Sequence, residues 1–247
     1  MHTTAKRGMV WMLVLYSLVH YHRTSEAAAY CPSLQDVEPC ATAGGVDGDG
    51  VPRWITIKYR AWKWRPVSMV GKPYPMQLHR NTYEPRYCPV TQMLLWLDLL
   101  RSKGVDIDAD GPLFPRLKKN GEFLKAHRRE VYEDGRIIWF TDKDEMVNMD
   151  EPMVSNIFMR VFRKAKMPKL TPHSFRKSAV QWCARCGGEF IHSMKAGRWQ
   201  TETEVSTYYD MGAAVAQEYL ASAAADPILT MMPYPKYGMT FSGVSGG

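Results

Sequence analysis

Residues 171–209 read TPHSFRKSAVQWCARCGGEFIHSMKAGRWQTETEVSTYY, and the rest of the chain is read outward from them. In order they hold His173 and Arg176, an apolar segment broken by Gly187-Gly188, a Gly-x-Trp turn at Gly197 and Trp199, and the pair Tyr208-Tyr209. The segment after Arg176 is predicted helical: it buries Phe175, Ala179, Trp182, Cys183 and Cys186 and stops at Gly187-Gly188, where a left-handed cap costs least. Cys-Ala-Arg-Cys therefore lies inside a helix. A redox pair normally stands at a helix start, and a zinc site needs a second pair, so both sulfurs read as packing. Thr201 followed by Glu204 is a capping box that starts a new helix, with the tyrosines two turns in. Guanidinium, imidazole, indole and phenol groups in one stretch can surround a phosphate, which implies phosphoryl-transfer chemistry on nucleic acid.

Composition agrees. The chain has 247 residues, 45% of them hydrophobic, enough for one sizeable core, and a net charge of +7 favours a polyanionic partner. Five cysteines in a chain of this length do not make a disulfide framework, which points to reduced thiols and an intracellular setting. An apolar run from Met9 to Val19, preceded by Lys6 and Arg7 and followed by Ala27-Ala28-Ala29, has the outline of a secretory leader. The intervening HYHRTSE is bulky and charged where a cleavage region is small and neutral, and the run is too short to span a bilayer. A buried helix over about residues 4–20 is the reading adopted.

Residues 31–53, with Pro32, Pro39, Gly44-Gly45 and Asp-Gly-Asp-Gly at 47–50, read as a loop. The two aspartates fall short of a calcium loop, so they read as a turn. RWITIKYRAWKW (53–64) is rich in β-branched and aromatic residues and alternates, predicting a strand; PMQLHR (75–80) is its hairpin partner. The basic residues on both arms read either as a solvated sheet face or as a ribbon against a phosphate backbone. Val90, Met93, Leu94, Leu97 and Leu100 predict a helix closing near Gly104, and GPLFPR (111–116) a connector. Residues 118–150 carry little pattern beyond a short strand at Arg136 to Phe140. Val154, Ile157, Phe158, Val161, Phe162 and Ala165 repeat at helical spacing, with Arg160, Arg163, Lys164 and Lys166 on the flanks.

Taken together, these residues resemble the catalytic domain of the tyrosine recombinases, or phage-type integrases. That family carries R-x-x-E after an apolar helix, a lysine on a β-hairpin, H-x-x-R, a Gly-His or Gly-x-Trp turn, and a tyrosine nine residues beyond that His or Trp. Here Arg23 and Glu26 stand in RTSE, Lys63 lies on the hairpin with Lys58 and Lys72 close by, and His173 and Arg176 stand in HSFR. Trp199 takes the His-or-Trp place, and 208 − 199 = 9 selects Tyr208 over Tyr209. Each residue alone has an ordinary role: Arg23 pairing with Glu26, His173 a core histidine, Trp199 a turn anchor, Tyr208 a helix-face aromatic. It is the joint order and spacing that is specific.

The resemblance implies an α+β fold, mainly α, with a small antiparallel β-sheet: catalytic domain over 1–225 and a flexible tail over 226–247. It implies an enzyme that cleaves and rejoins DNA through a 3′-phosphotyrosyl intermediate, with no metal and no cofactor. Arg23 and Arg176 would hold the non-bridging oxygens, Lys63 would protonate the leaving 5′ oxygen, and His173 and Trp199 would contact the phosphate. The partner is double-stranded DNA, not a membrane, in the nucleus of a eukaryote or with the nucleoid otherwise. The alanine-rich segment Ala213 to Ala225 would join protomers into a homo-oligomer on that DNA. The family's separate N-terminal DNA-gripping domain is expected to be absent, and residues 31–53 to be an insertion. The alternatives are a non-catalytic DNA-binding derivative of a mobile-element integrase and a secreted or membrane-associated basic protein.

Overall fold

The apolar N-terminal run becomes helix α1 (His2–His20), which buries Ala5, Met9, Met12 and Leu13. The computed structural model describes residues 2–20, 32–41, 45–60, 72–82, 88–164, 166, 172–185, 189–197, 199, 201–203, 205–206 and 209. It divides into two units, Met1–Arg176 and Lys177–Gly247. Among the described residues the architecture is α+β: helices with two small antiparallel sheets.

In the first unit α1 packs on α2 (Pro89–Ser102) and on α3 (Glu151–Lys164). The approach to α2 is close, since a Cβ added at Gly8 would lie 3.1 Å from Leu99 Cδ2. Helix α2 starts where Pro89 stands at its first position, with Cys88 Sγ accepting from the Thr91 N–H. It ends at Lys103, followed by Gly104 at φ +74°, the left-handed position expected near this residue. Trp96 Nε1–H donates to the Leu113 carbonyl at 2.9 Å, and its ring packs against Phe114 and Phe123, which ties the connector to α2.

The hairpin forms as predicted, with β2 (Trp54–Tyr59) and β3 (Tyr74–His79) pairing Ile57 with Met76 and Ile55 with Leu78. Ile55, Ile57, Tyr59, Met76 and Leu78 alternate onto the core side. The loop reading of 31–53 needs correction: Val37–Pro39 forms β1, which pairs antiparallel with β2 and makes the sheet three-stranded, in the order β1-β2-β3. Three residues, Val-Glu-Pro, are too few to show a period, and this edge strand is held by its backbone ladder with only Val37 half-buried against the core. The Asp-Gly-Asp-Gly stretch is a turn, with the Gly50 N–H donating to the Asp47 carbonyl at 2.9 Å.

Residues 118–150 contain one strand that sequence patterning missed. The predicted strand appears as β5 (Ile137–Phe140), and β4 (Arg128–Val131) pairs with it. All four residues of β4 are exposed, so it has no apolar face to betray it. Beneath β5 a small cluster of Leu124, Ile137, Trp139 and Val147 is pinned by Asn148, whose side chain accepts from the Trp139 N–H (2.7 Å) and donates to the Ile137 carbonyl (3.0 Å).

Helix α3 begins where the Asp150 carboxylate accepts from the Met153 N–H at 2.7 Å, with Glu151 in its first turn and Arg163 and Lys164 in its last. Its buried face places Phe158 and Phe162, 5.5 Å apart, against Phe175, with centroids at 5.6 and 5.7 Å. Truncating one such ring costs about 3–5 kcal/mol. Phe175 lies on α4 (Pro172–Arg185), within which the division between the units falls. In the second unit the rest of α4 buries Ala179, Val180, Cys183 and Ala184, and α5 (Phe190–Gly197) follows. Cys183 is thus a packing sulfur inside a helix, as read; Cys186 and Gly187-Gly188 lie outside the described residues.

Candidate functional site

Proline at the first position of α4 presets the helical φ and sacrifices no hydrogen bond there. Helix therefore begins before His173, earlier than the reading that started it after Arg176, and His173 and Arg176 sit one turn apart on neighbouring positions. Arg176 is only 6% exposed. A guanidinium keeps its charge wherever it is placed, so withdrawing one from solvent is costly unless anionic or carbonyl groups receive it.

The Gly-x-Trp turn has a local cause. The Trp199 N–H donates to the Met194 carbonyl at 3.2 Å, closing the end of α5 with a bond of the six-to-one kind. The indole then folds over Gly197: a Cβ at that position would lie 1.6 Å from the ring. No side chain larger than hydrogen fits there, so the spacing of Gly197 and Trp199 is a packing requirement as well as a motif. Farther on, Val205 is fully buried and the Ser206 N–H donates to the Glu202 carbonyl at 2.8 Å, one helical turn before the tyrosines. The Tyr209 ring stands edge-on to Phe190, centroids 5.4 Å apart. Tyr209 is therefore part of the packing between its own helix and α5.

Arg23, Glu26, Lys63, Glu204 and Tyr208, the side chain of His173, the segment Ala213 to Ala225 and the tail from 226 lie outside the described residues. Of the two neighbouring lysines, Lys58 on β2 is bonded to Glu38 on β1, and Lys72 is exposed just before β3.

The basic face of the sheet is more than either sequence reading supposed. Arg60 meets Asp36 through three bonds of 2.6–3.0 Å, although the Asp36 side chain is only 1% exposed. Arg53 bonds Asp47 at 2.6 Å, and Arg80 bridges Asp47 and Asp49. Arg80 holds the Asp49 carboxyl down at about 2, and Arg53 foremost lowers that of Asp47. The aspartates of the turn are therefore anchors for arginines. The signal was present in Asp-Gly-Asp-Gly beside Arg53, but the second partner, Arg80, is remote in sequence. Among the described residues no three His, Cys, Asp or Glu side chains converge as a metal site would require, and no helix is long and apolar enough to cross a membrane.

No family model matches this sequence, and no curated protein matches it. Among solved structures, the chain is distantly similar to XerA recombinase, with 14% identity and a TM-score of 0.42 over 89% of this chain. It spans 62% of that recombinase's chain. A likeness of that degree assigns nothing to this chain by itself.

Proposed function

We propose that this chain is a DNA strand-transferase of the tyrosine-recombinase type. What carries the reading is the ordered set of motifs in the sequence, within which Arg176 is withdrawn from solvent one helical turn from His173. Duplex DNA would lie with its scissile phosphate between Arg23 and Arg176, whose forked donors match phosphate oxygens in pairs. The Tyr208 phenol gives up its proton to solvent as its oxygen attacks phosphorus; the bond to the 5′ oxygen breaks, and Lys63 supplies the proton that this oxygen takes. The phosphotyrosine keeps the energy of the broken bond, so a 5′ hydroxyl can reverse the step on the same strand or another. Trp199 donates its indole hydrogen to a phosphate oxygen and, unlike histidine, shuttles no proton. Protomers would meet on the DNA through the segment Ala213 to Ala225.

The phenols of Tyr208 and Tyr209 are chemically alike, so position decides which attacks. The ring of Tyr209 packs against Phe190, which supports the choice of Tyr208 made from its spacing to Trp199. A substrate nicked beside the scissile phosphate should trap a covalent complex with wild type and with Tyr209→Phe but not with Tyr208→Phe. The reverse pattern moves the nucleophile by one residue. Binding without trapping in any variant makes the protein a non-catalytic DNA binder, and absence of binding removes the reading. Arg176→Ala, if it still folds, should slow trapping by about 10²-fold or more.

A further inference from the structure

The first unit carries a second basic feature that no motif marks. A concave groove of about 270 Å³ lies where α1, the turn at 116–119 and α3 converge. Its rim is cationic, with Lys6 from α1, Arg116, Lys118 and Lys119 from the turn, and Arg160 from α3. Among the described residues no carboxylate lines it. Among the described residues, Lys6, Lys119 and Arg160 meet no carboxylate at ion-pair distance, while Arg116 and Lys118 reach Glu145 and Glu122 only at 3.5 and 3.6 Å, in solvent-exposed pairs.

The backbone that carries Arg116, Lys118 and Lys119 is fixed before any ligand arrives. The turn is a small hairpin in its own right: Leu124 N–H donates to the Arg116 carbonyl at 2.9 Å, Lys118 N–H to Glu122 at 2.8 Å, and Arg116 N–H to Val147 at 2.8 Å. Like charges gathered around one concavity repel, which destabilises the free protein and favours whatever anion neutralises them. The floor, formed by Leu117, Met149, Met153 and Ile157, is apolar. A small hydrated ion gains nothing from such a floor. A phosphodiester strand gains twice, because its sugar carbons can lie on the floor while its phosphate oxygens meet the rim. Positive charge also continues along α3 beyond the groove: Arg160 and Lys164 are exposed one turn apart, roughly 6 Å, with the neutral amide of Asn156 exposed a turn before them. That suits a ligand with several phosphates in succession.

We infer that this groove seats the phosphate backbone of duplex DNA, separately from His173 and Arg176; the inference rests on the DNA reading above. The test is the salt dependence of binding to a short blunt-ended duplex, measured with the full chain. In wild type, affinity should fall steeply as salt rises, because each phosphate contact releases condensed counterions. The double variant Lys119→Gln with Arg160→Gln should lower the slope of log affinity against log salt by about two, one for each lost contact. It should do so with an unchanged or higher Tm, which a merely structural pair of side chains would not give. Arg53→Gln, on a cation already matched by Asp47, should leave the slope as it was. A wild-type slope retained in the double variant overturns the groove while leaving DNA binding intact. Failure of wild type to bind the duplex overturns both readings. Displacement of DNA by inorganic phosphate more strongly than by chloride at equal ionic strength would make the groove a site for free phosphate, and that also overturns the inference.

Discussion

The three-stranded sheet and the groove are both basic, yet they treat their cations oppositely. On the sheet, Arg53, Lys58, Arg60 and Arg80 are each matched by a carboxylate brought close by the fold: Asp47, Glu38, Asp36 and Asp49. In the groove, cations from three separate elements converge, and among the described residues Lys6, Lys119 and Arg160 meet no carboxylate, while Arg116 and Lys118 have Glu145 and Glu122 only at 3.5 and 3.6 Å. The sheet uses charge to fix β1 and the 47–50 turn against β2 and β3, so its positive residues are largely neutralised within the chain. The groove leaves its charge for a partner. Counting lysines and arginines along a sequence does not separate the two cases; the positions of the acids do.

The largest expected effect tests this contrast through stability. Removing Arg60 leaves Asp36 as a buried carboxylate with little beyond the Ser33 N–H, at 3.4 Å, to receive it. Losing one partner of a fully buried pair costs about 3–5 kcal/mol; with Arg60 half exposed, Arg60→Ala should cost less, about 2–3 kcal/mol in urea unfolding. Arg160→Ala should change stability by less than about 0.5 kcal/mol, as exposed substitutions do. Equal losses at the two sites would erase the distinction between a structural and a ligand-directed cation.

Much of the frame was legible because it rests on period. The pattern of α3 runs from Val154 through Phe162, β2 alternates, and α2 has Gly104 at its end. Elements built on backbone pairing were not legible: β1 is Val-Glu-Pro, and β4 is Arg-Arg-Glu-Val with every side chain exposed. The site divides along the same line. The spacings of His173 with Arg176 and of Gly197 with Trp199 are local and could be read from the sequence, but the start of α4 ahead of His173 and the packing of the indole over Gly197 could not. The groove was only half visible. Arg160 and Lys164 stood out on a helix flank, but Lys118 and Lys119 lie in a stretch without period, and their meeting with Lys6 is a tertiary fact.

A smaller effect should appear as the pH is lowered. His79 lies opposite Trp54 across β2 and β3, and burial pushes its pKa below the ordinary histidine range. The unfolded chain then takes up a proton at higher pH than the folded one. Stability from this group is fully present above about pH 6.5, the unfolded value, and is lost as pH falls from there through the lower folded value. The His79→Gln variant should show a flatter Tm profile over that window than wild type. An identical profile would show that the sheet tolerates an added positive charge, which would weaken the claim that its charges are closely matched.

The smallest effect is local and is read on one carboxyl group. Asp49 is exposed, so its bonds to Arg80 contribute little to global stability, yet those bonds favour the ionised form strongly enough to hold its pKa near 2. Because the folded value is depressed, the pairing is at full strength above the unfolded value of about 3.8 and is lost as pH falls through about 2. Carbon-13 NMR of the Asp49 carboxyl should therefore show a midpoint near 2 in wild type. In Arg80→Gln most of the depression should go, since Arg80 is its foremost cause, while the Val51 N–H, which donates to Asp49 at 3.1 Å, keeps a remainder. An unperturbed midpoint in wild type would mean that Arg80 is not held by Asp49 in solution. One of the sheet's arginines would then be as available to an external phosphate as those of the groove, and the two regions would differ in degree rather than in kind.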